Sequence, residues 1–226
     1  MSWAGVLWPT FALLPRLAAG AEPQPGLHRW ARRLLPALGI DLQVEGRLRA
    51  DLPLWVANHV SWVDPVALMS LRPMGTIAKG EVAGYPLIGR LAQRSGIHFV
   101  EREDPTSRAA ALAALMASLR KGRPMLLFPE GTTTRGERLA AFYEGGLRLA
   151  FHLGLPAQPL RLSSPAPHYP WTGDETLVPH IRTLFANRTP VAVAAEEPLH
   201  PSDFQDAEAW IAAFETALAP RSSHVR

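Results

Sequence analysis

From Gly39 onward, short β-prone runs alternate with stretches of helical period. Residues 41–46 (DLQVEG), 54–58 (LWVAN), 76–79 (TIAK), 97–101 (IHFVE), 124–128 (PMLLF), 157–162 (AQPLRL) and 190–195 (PVAVAA) read as strands. Between them, Asp104-Pro105 has the form of an N-cap followed by proline at the first helical position, and Leu112, Leu115, Met116 and Leu119 then recur with helical spacing until Gly122. A last helix opens with Ser202 and Gln205 in capping-box spacing and carries Phe204, Ala207, Ile211, Phe214 and Leu218 on one face. Strands alternating with helices predict one α/β domain over residues 39–220, with a largely parallel central sheet flanked by helices and a short tail at 221–226.

The first 38 residues follow another pattern. Residues 3–14 (WAGVLWPTFALL) are apolar, but Pro9 interrupts them and Pro15-Arg16 ends them, short of the roughly 20 residues that span a bilayer. Ala19-Gly20-Ala21 has the look of a signal cleavage site, yet no basic residue precedes the apolar run. Residues 27–38 (LHRWARRLLPAL) set Leu27, Trp30, Leu34, Leu35 and Leu38 along one helical stripe, with His28, Arg29, Arg32 and Arg33 largely off it. This basic amphipathic pattern suits a helix lying in a membrane interface, and equally a surface helix packed on the domain with its arginines solvated.

Composition narrows the function classes. With 226 residues, 47% hydrophobic and 19% charged, the chain has enough apolar content for a core of its own and is neither a disordered nor an obviously polytopic membrane sequence. The formal net charge is +3, and the basic residues are nearly all arginine, with lysine only at Lys79 and Lys121. Arginine forks match carboxylate and phosphate, but so small a charge spread along the chain is not a nucleic-acid footprint. The absence of cysteine excludes disulfides, a thiol nucleophile and thiolate metal ligands. No P-loop, dinucleotide fingerprint or metal-spaced histidine pair is present, so neither a metal nor a cofactor is expected.

In largely parallel sheets, ligands bind beyond the carboxyl ends of the strands. Three of the predicted strands end in polar residues there: Asn58-His59, Glu101-Arg102, and Pro129-Glu130-Gly131-Thr132. On one helix, His59 and Asp64 would stand about 140° apart around the axis and would not meet. A turn over Val60 to Val63, with Asp64-Pro65 opening the next helix, lets the carboxylate reach back to the imidazole, fix its tautomer and leave the other ring nitrogen as a base. Ser61 lacks the G-x-S-x-G elbow of a hydrolase serine and reads as part of that turn.

Residues 128–136 (FPEGTTTRG), taken with 58–65 (NHVSWVDP), 96–104 (GIHFVERED) and the proline-containing apolar run 155–162 (LPAQPLRL), resemble the ordered blocks of the glycerolipid acyltransferases. The resemblance implies that His59 deprotonates an acceptor hydroxyl, with Asp64 orienting it, and that the hydroxyl attacks an acyl thioester directly. It implies acceptor-side roles for Arg102, which holds an anionic head, and for Glu130, Gly131 and Thr132. Asn58 supports the loop, and Lys79 with Glu81 matches a Lys-x-Glu element. Two departures bear on the acceptor: straight after the threonine of the block, where an arginine is frequent, Thr133 and then Thr134 follow, with Arg135 only afterwards, and Phe142 is followed by Tyr143 and Glu144 rather than a basic residue. In this the chain is similar to the branch that includes lyso-ornithine lipid acyltransferases.

The expected enzyme is thus a lysolipid O-acyltransferase at the cytoplasmic face of a membrane, of the bacterial inner membrane in particular. Residues 1–38 contact lipid, acyl-CoA or acyl carrier protein donates, lysophosphatidic acid is the first acceptor and lyso-ornithine lipid the second. A thioesterase or lipid hydrolase, and a catalytically silent lipid-binding module, are the rivals from other classes.

Overall fold

The computed structural model describes residues 23–80, 97–101, 103–172 and 176–221. Chain order runs α1 (Pro23–Ala37), β1 (Ile40–Gly46), β2 (Leu54–Ala57), α2 (Val63–Met69), β3 (Gly75–Lys79), β4 (His98–Val100), α3 (Pro105–Arg120), β5 (Met125–Leu127), α4 (Gly145–His152), β6 (Ala157–Ser163), α5 (Leu177–Ala186), β7 (Thr189–Ala195) and α6 (Ala207–Leu218). Each predicted strand exists within a residue or two of its expected bounds. They form one sheet in the order β1-β7-β6-β2-β5-β3-β4, parallel at every pairing except β6 with β7.

The strand period of two sorts the core onto the two faces of this sheet. Trp55 and Ala57 of β2 join Leu160, Leu162, Val191 and Val193 on the face covered by α1, α2 and α5. Leu54 and Val56 join Met125, Leu127 and Ala157 on the opposite face, under Leu115 and Leu119 of α3, Leu147 of α4, and Trp210 and Phe214 of α6. β2 is buried along its whole length, which is why it reads as a continuous apolar run rather than an alternating one.

Helix starts follow their side chains. Asp104 caps α3 by accepting from the N–H groups of Thr106 (2.9 Å) and Ser107 (3.2 Å), ahead of Pro105. The capping box expected at Ser202 and Gln205 does not form. Pro201–Asp203 makes a 3-10 turn, and Asp206 caps α6 through the N–H of Ala209 at 2.8 Å, because its short carboxylate has the offset that reaches the third helical N–H. Phe204 packs on the core from ahead of the helix, and Trp210 completes its buried stripe.

The amphipathic pattern of residues 27–38 resolves toward the domain. Leu27, Trp30, Ala31, Leu34, Leu35 and Leu38 are all buried in the core, and His28 hands its Nδ1 to the carbonyl of Met69 at 2.8 Å. Burying a leucine is worth about 1.5–3 kcal/mol. Moving this stripe into a bilayer would uncover the matching core face at equal cost, so the apolar side of α1 serves the fold and its outward side carries Arg29, Arg32 and Arg33. Residues 3–14, with the cleavage-like Ala19-Gly20-Ala21, lie outside the described residues. Among the described residues, no helix is long and apolar enough to cross a membrane.

Candidate active site

Three adjacent parallel strands, β6, β2 and β5, end at the same edge of the sheet, and the segments at and beyond these ends carry the polar side chains of the site. β2 delivers two in succession. Asn58, 4% exposed, donates through Nδ2 to the carbonyl of Leu162 (3.0 Å) and accepts at Oδ1 from the N–H of the same residue (2.7 Å). A side-chain amide thereby makes the rung that the backbone abandons as it turns out of the sheet. This holds the exit angle of the chain at His59.

Asp64 sits in the first turn of α2, with no exposed surface. Its Oδ2 lies 2.9 Å from His59 Nδ1 and accepts from the N–H groups of Val60 (2.6 Å) and Ser61 (2.8 Å), while its own N–H returns to the carbonyl of Ser61 at 3.0 Å. That loop, and not a shared helix face, joins the pair. A carboxylate only accepts, so the ring proton is on Nδ1 and the Nε2 lone pair remains as the base site of the imidazole. The His59 side chain is 17% exposed, and the Phe128 ring stacks on it at 4.2 Å between centroids with 23° between planes. Ser61 is wholly buried and its Oγ faces the N–H of Val63, as a turn residue rather than a nucleophile.

The turn after β5 fixes the other side. The N–H of Gly131 donates to the carbonyl of Phe128 at 3.0 Å, and Gly131 has φ 63°, a conformation that glycine adopts without steric cost. Glu130 is buried beneath it. One carboxylate oxygen accepts from the backbone N–H of His59 (2.7 Å) and the other from that of Ala140 (2.8 Å). Burial raises its pKa from the ordinary glutamate value, against those two donors and the nearby imidazole. The residue read as part of an acceptor-binding turn therefore acts first on the protein's own backbone, at His59.

The remaining expected residues fall at the rim. Thr134 donates its N–H to the carbonyl of His59 at 2.8 Å, and Gly136 abuts Val60, so the exposed Arg135 between them is carried beside the His59 turn. Thr132 is exposed, and Lys79 ends β3 half-buried. Arg102 and Glu81 lie outside the described residues. No group of three or more His, Asp or Glu able to hold a metal ion occurs among the described residues.

Tyr169 is the residue that sequence reasoning missed. It lies beyond β6, 105 positions from Asp64, fully buried, and donates its hydroxyl to Asp64 Oδ1 at 2.5 Å. Neither periodicity nor motif spacing marks it. The strand-end rule singled out the endings of three other strands and did not reach this segment.

The Acyltransferase family model matches residues 42–163. The chain is 37% identical over 199 residues to a lyso-ornithine lipid O-acyltransferase of Pseudomonas aeruginosa, covering 84% of this chain and 77% of that protein. It is 28% identical over 183 residues to a 1-acyl-sn-glycerol-3-phosphate acyltransferase of Cocos nucifera, covering 79% of this chain and 56% of that one. The crystal structure of the 1-acyl-sn-glycerophosphate acyltransferase PlsC from Thermotoga maritima superposes with a TM-score of 0.64 at 23% identity, over 95% of this chain and 84% of that one.

Proposed function

The chain belongs to the Acyltransferase family, and from that premise we propose that it moves a fatty acyl group from an acyl thioester to the free hydroxyl of a lysolipid. The observation that carries this reading is the contact of His59 Nδ1 with Asp64 Oδ2 at 2.9 Å, which dedicates Nε2 to proton transfer. Nε2 takes the proton of the acceptor hydroxyl as its oxygen attacks the thioester carbonyl. The tetrahedral intermediate then expels the thiolate, which receives the proton from the same nitrogen. No acyl-enzyme forms, and no metal or redox cofactor takes part. Acyl-CoA or acyl carrier protein supplies the thioester.

The acceptor we propose is a lyso-ornithine lipid, ahead of lysophosphatidic acid, which the sequence alone put first. Two observations support the change of order. The lyso-ornithine relative matches at 37% over 84% of this chain, while phosphate-acceptor relatives reach 34% over 59% of it. Thr134, standing near the position where an arginine is frequent, spends its backbone on the carbonyl of His59 and brings no cation to the site. The phosphate reading keeps one specific support, the exposed Arg135 beside the His59 turn, with Arg102 as its partner by resemblance. A lipid acceptor places the enzyme on a membrane, and we assign it to the cytoplasmic face of a bacterial inner membrane.

The test is acyl transfer from radiolabelled acyl-CoA and from acyl carrier protein to the two lysolipids side by side. Preference for the ornithine acceptor supports the reading, and preference for the phosphate acceptor restores the other order. Acyl release without any acceptor would make the protein a thioesterase.

A further inference from the structure

We propose that Tyr169 is a positioning residue for acyl transfer, the outer member of a Tyr169–Asp64–His59 relay whose hydroxyl sets how much of the Asp64 charge reaches the imidazole. The inference rests on the acyltransferase reading and extends it to a residue outside the matched family segment, which ends at residue 163.

The division of labour at Asp64 is the first observation. Oδ2 receives three donors, from His59 Nδ1 and the N–H groups of Val60 and Ser61, while Oδ1 receives Tyr169. A phenol on a buried carboxylate withdraws charge from the partner oxygen. Burial, followed by the Asp64 charge, pushes the Tyr169 phenol well above its usual pKa, so it keeps its proton and stays a donor.

The second observation is how firmly the tyrosine is held. Trp62 Nε1 donates to His180 Nδ1 at 2.9 Å, so the other His180 nitrogen carries the proton and donates to the carbonyl of His168 at 3.0 Å. This ties the residue preceding Tyr169 to the turn that carries Asp64. Beyond it, His168 Nε2 meets Thr189 Oγ1 at 2.8 Å, Ser164 Oγ donates to the carbonyl of Pro190 at 2.6 Å, and the N–H of Trp171 donates to the carbonyl of Val60 at 3.0 Å. These ties fix the chain on both sides of Tyr169 and with it the reach of the hydroxyl to Asp64.

Two substitutions move the hydroxyl in opposite senses. Tyr169→Phe removes the donor and leaves more charge for the imidazole, whereas 3,5-difluorotyrosine at position 169 is a stronger donor of nearly the same shape. For Tyr169→Phe we expect kcat to fall about tenfold, KM for both substrates to stay within about twofold, and the acid limb of kcat/KM to move to higher pH. For the fluorinated protein the limb moves to lower pH. Asp64 and Glu130 face His59, and His168 and His180 stand behind Tyr169; of these four, Asp64 alone bonds to the hydroxyl that the substitutions alter, and Glu130, His168 and His180 keep their contacts in all three proteins.

Limbs that stay in place in both proteins overturn the proposal, even if Tyr169→Phe lowers the melting temperature, because a structural plug affects stability alone. If Tyr169→Phe does not fold, the fluorinated protein decides. The NMR titration of His59 reads the same relay without turnover. Absence of acyl transfer in the wild type would sink the acyltransferase reading, while unmoved His59 titration would sink the Tyr169 role.

Discussion

The backbone N–H of His59 donates to Glu130 Oε1 at 2.7 Å, although 71 residues separate them in the chain. The block containing the base and the block containing the glutamate are therefore one mechanical unit. The second oxygen of Glu130 holds Ala140, so the clamp spans three segments around a single carboxylate.

Glu130→Gln tests the clamp with almost no change in shape. An amide offers one accepting oxygen and turns an NH2 group toward the remaining N–H, which costs about 1–3 kcal/mol at a buried site. We expect kcat to drop by about 10- to 100-fold with KM for the acceptor little changed, since misplacing the base harms the chemical step. A variant with raised acceptor KM and normal kcat would instead make Glu130 a direct acceptor ligand.

His59→Ala should remove transfer by at least about a thousandfold, the scale of a general base, while circular dichroism and the melting temperature stay near wild type. The side chain stands beyond the last residue of β2, and without it Asp64 keeps three donors, from Val60, Ser61 and Tyr169. Transfer that persists in the purified variant would refute the base assignment. Lost lipid binding, in place of lost turnover, would point to a silent binding module.

Asn58→Ala should destabilise the protein by about 2–4 kcal/mol, measured by urea unfolding. It deletes two buried hydrogen bonds to Leu162 and leaves that residue's N–H and C=O without them. A loss below about 0.5 kcal/mol would mean that water replaces the side chain and that the exit of β2 is held by other contacts.

What was legible in the chain follows the range of the forces involved. Strand positions are set by local apolar runs such as residues 54–57, and the Asp104-Pro105 cap by neighbours two and three residues away. The His59–Asp64 pair was legible because its partners share one turn. Tyr169 and the clamping role of Glu130 were not, since each depends on which strands the sheet places side by side, and no short-range pattern encodes that order. α1 shows the same limit. Its stripe was plain, but whether membrane or core covers it is decided by α2 and the sheet.

The pKa shift of Glu130 makes a last prediction about pH. Its folded-state value is raised, chiefly by burial, so the folded protein holds this proton more tightly than the unfolded chain does. Such a group contributes stability that is complete below the unfolded pKa and is lost as pH rises through the folded one. Glutamine at the same position does not titrate. The stability of wild type relative to Glu130→Gln should therefore be greater near about pH 4.5 than near about pH 7.5, once other groups cancel in the difference. Urea unfolding of both proteins at the two pH values measures this. If the wild-type advantage instead grows with pH, the two backbone donors outweigh burial and the ionised carboxylate is the form that the fold prefers.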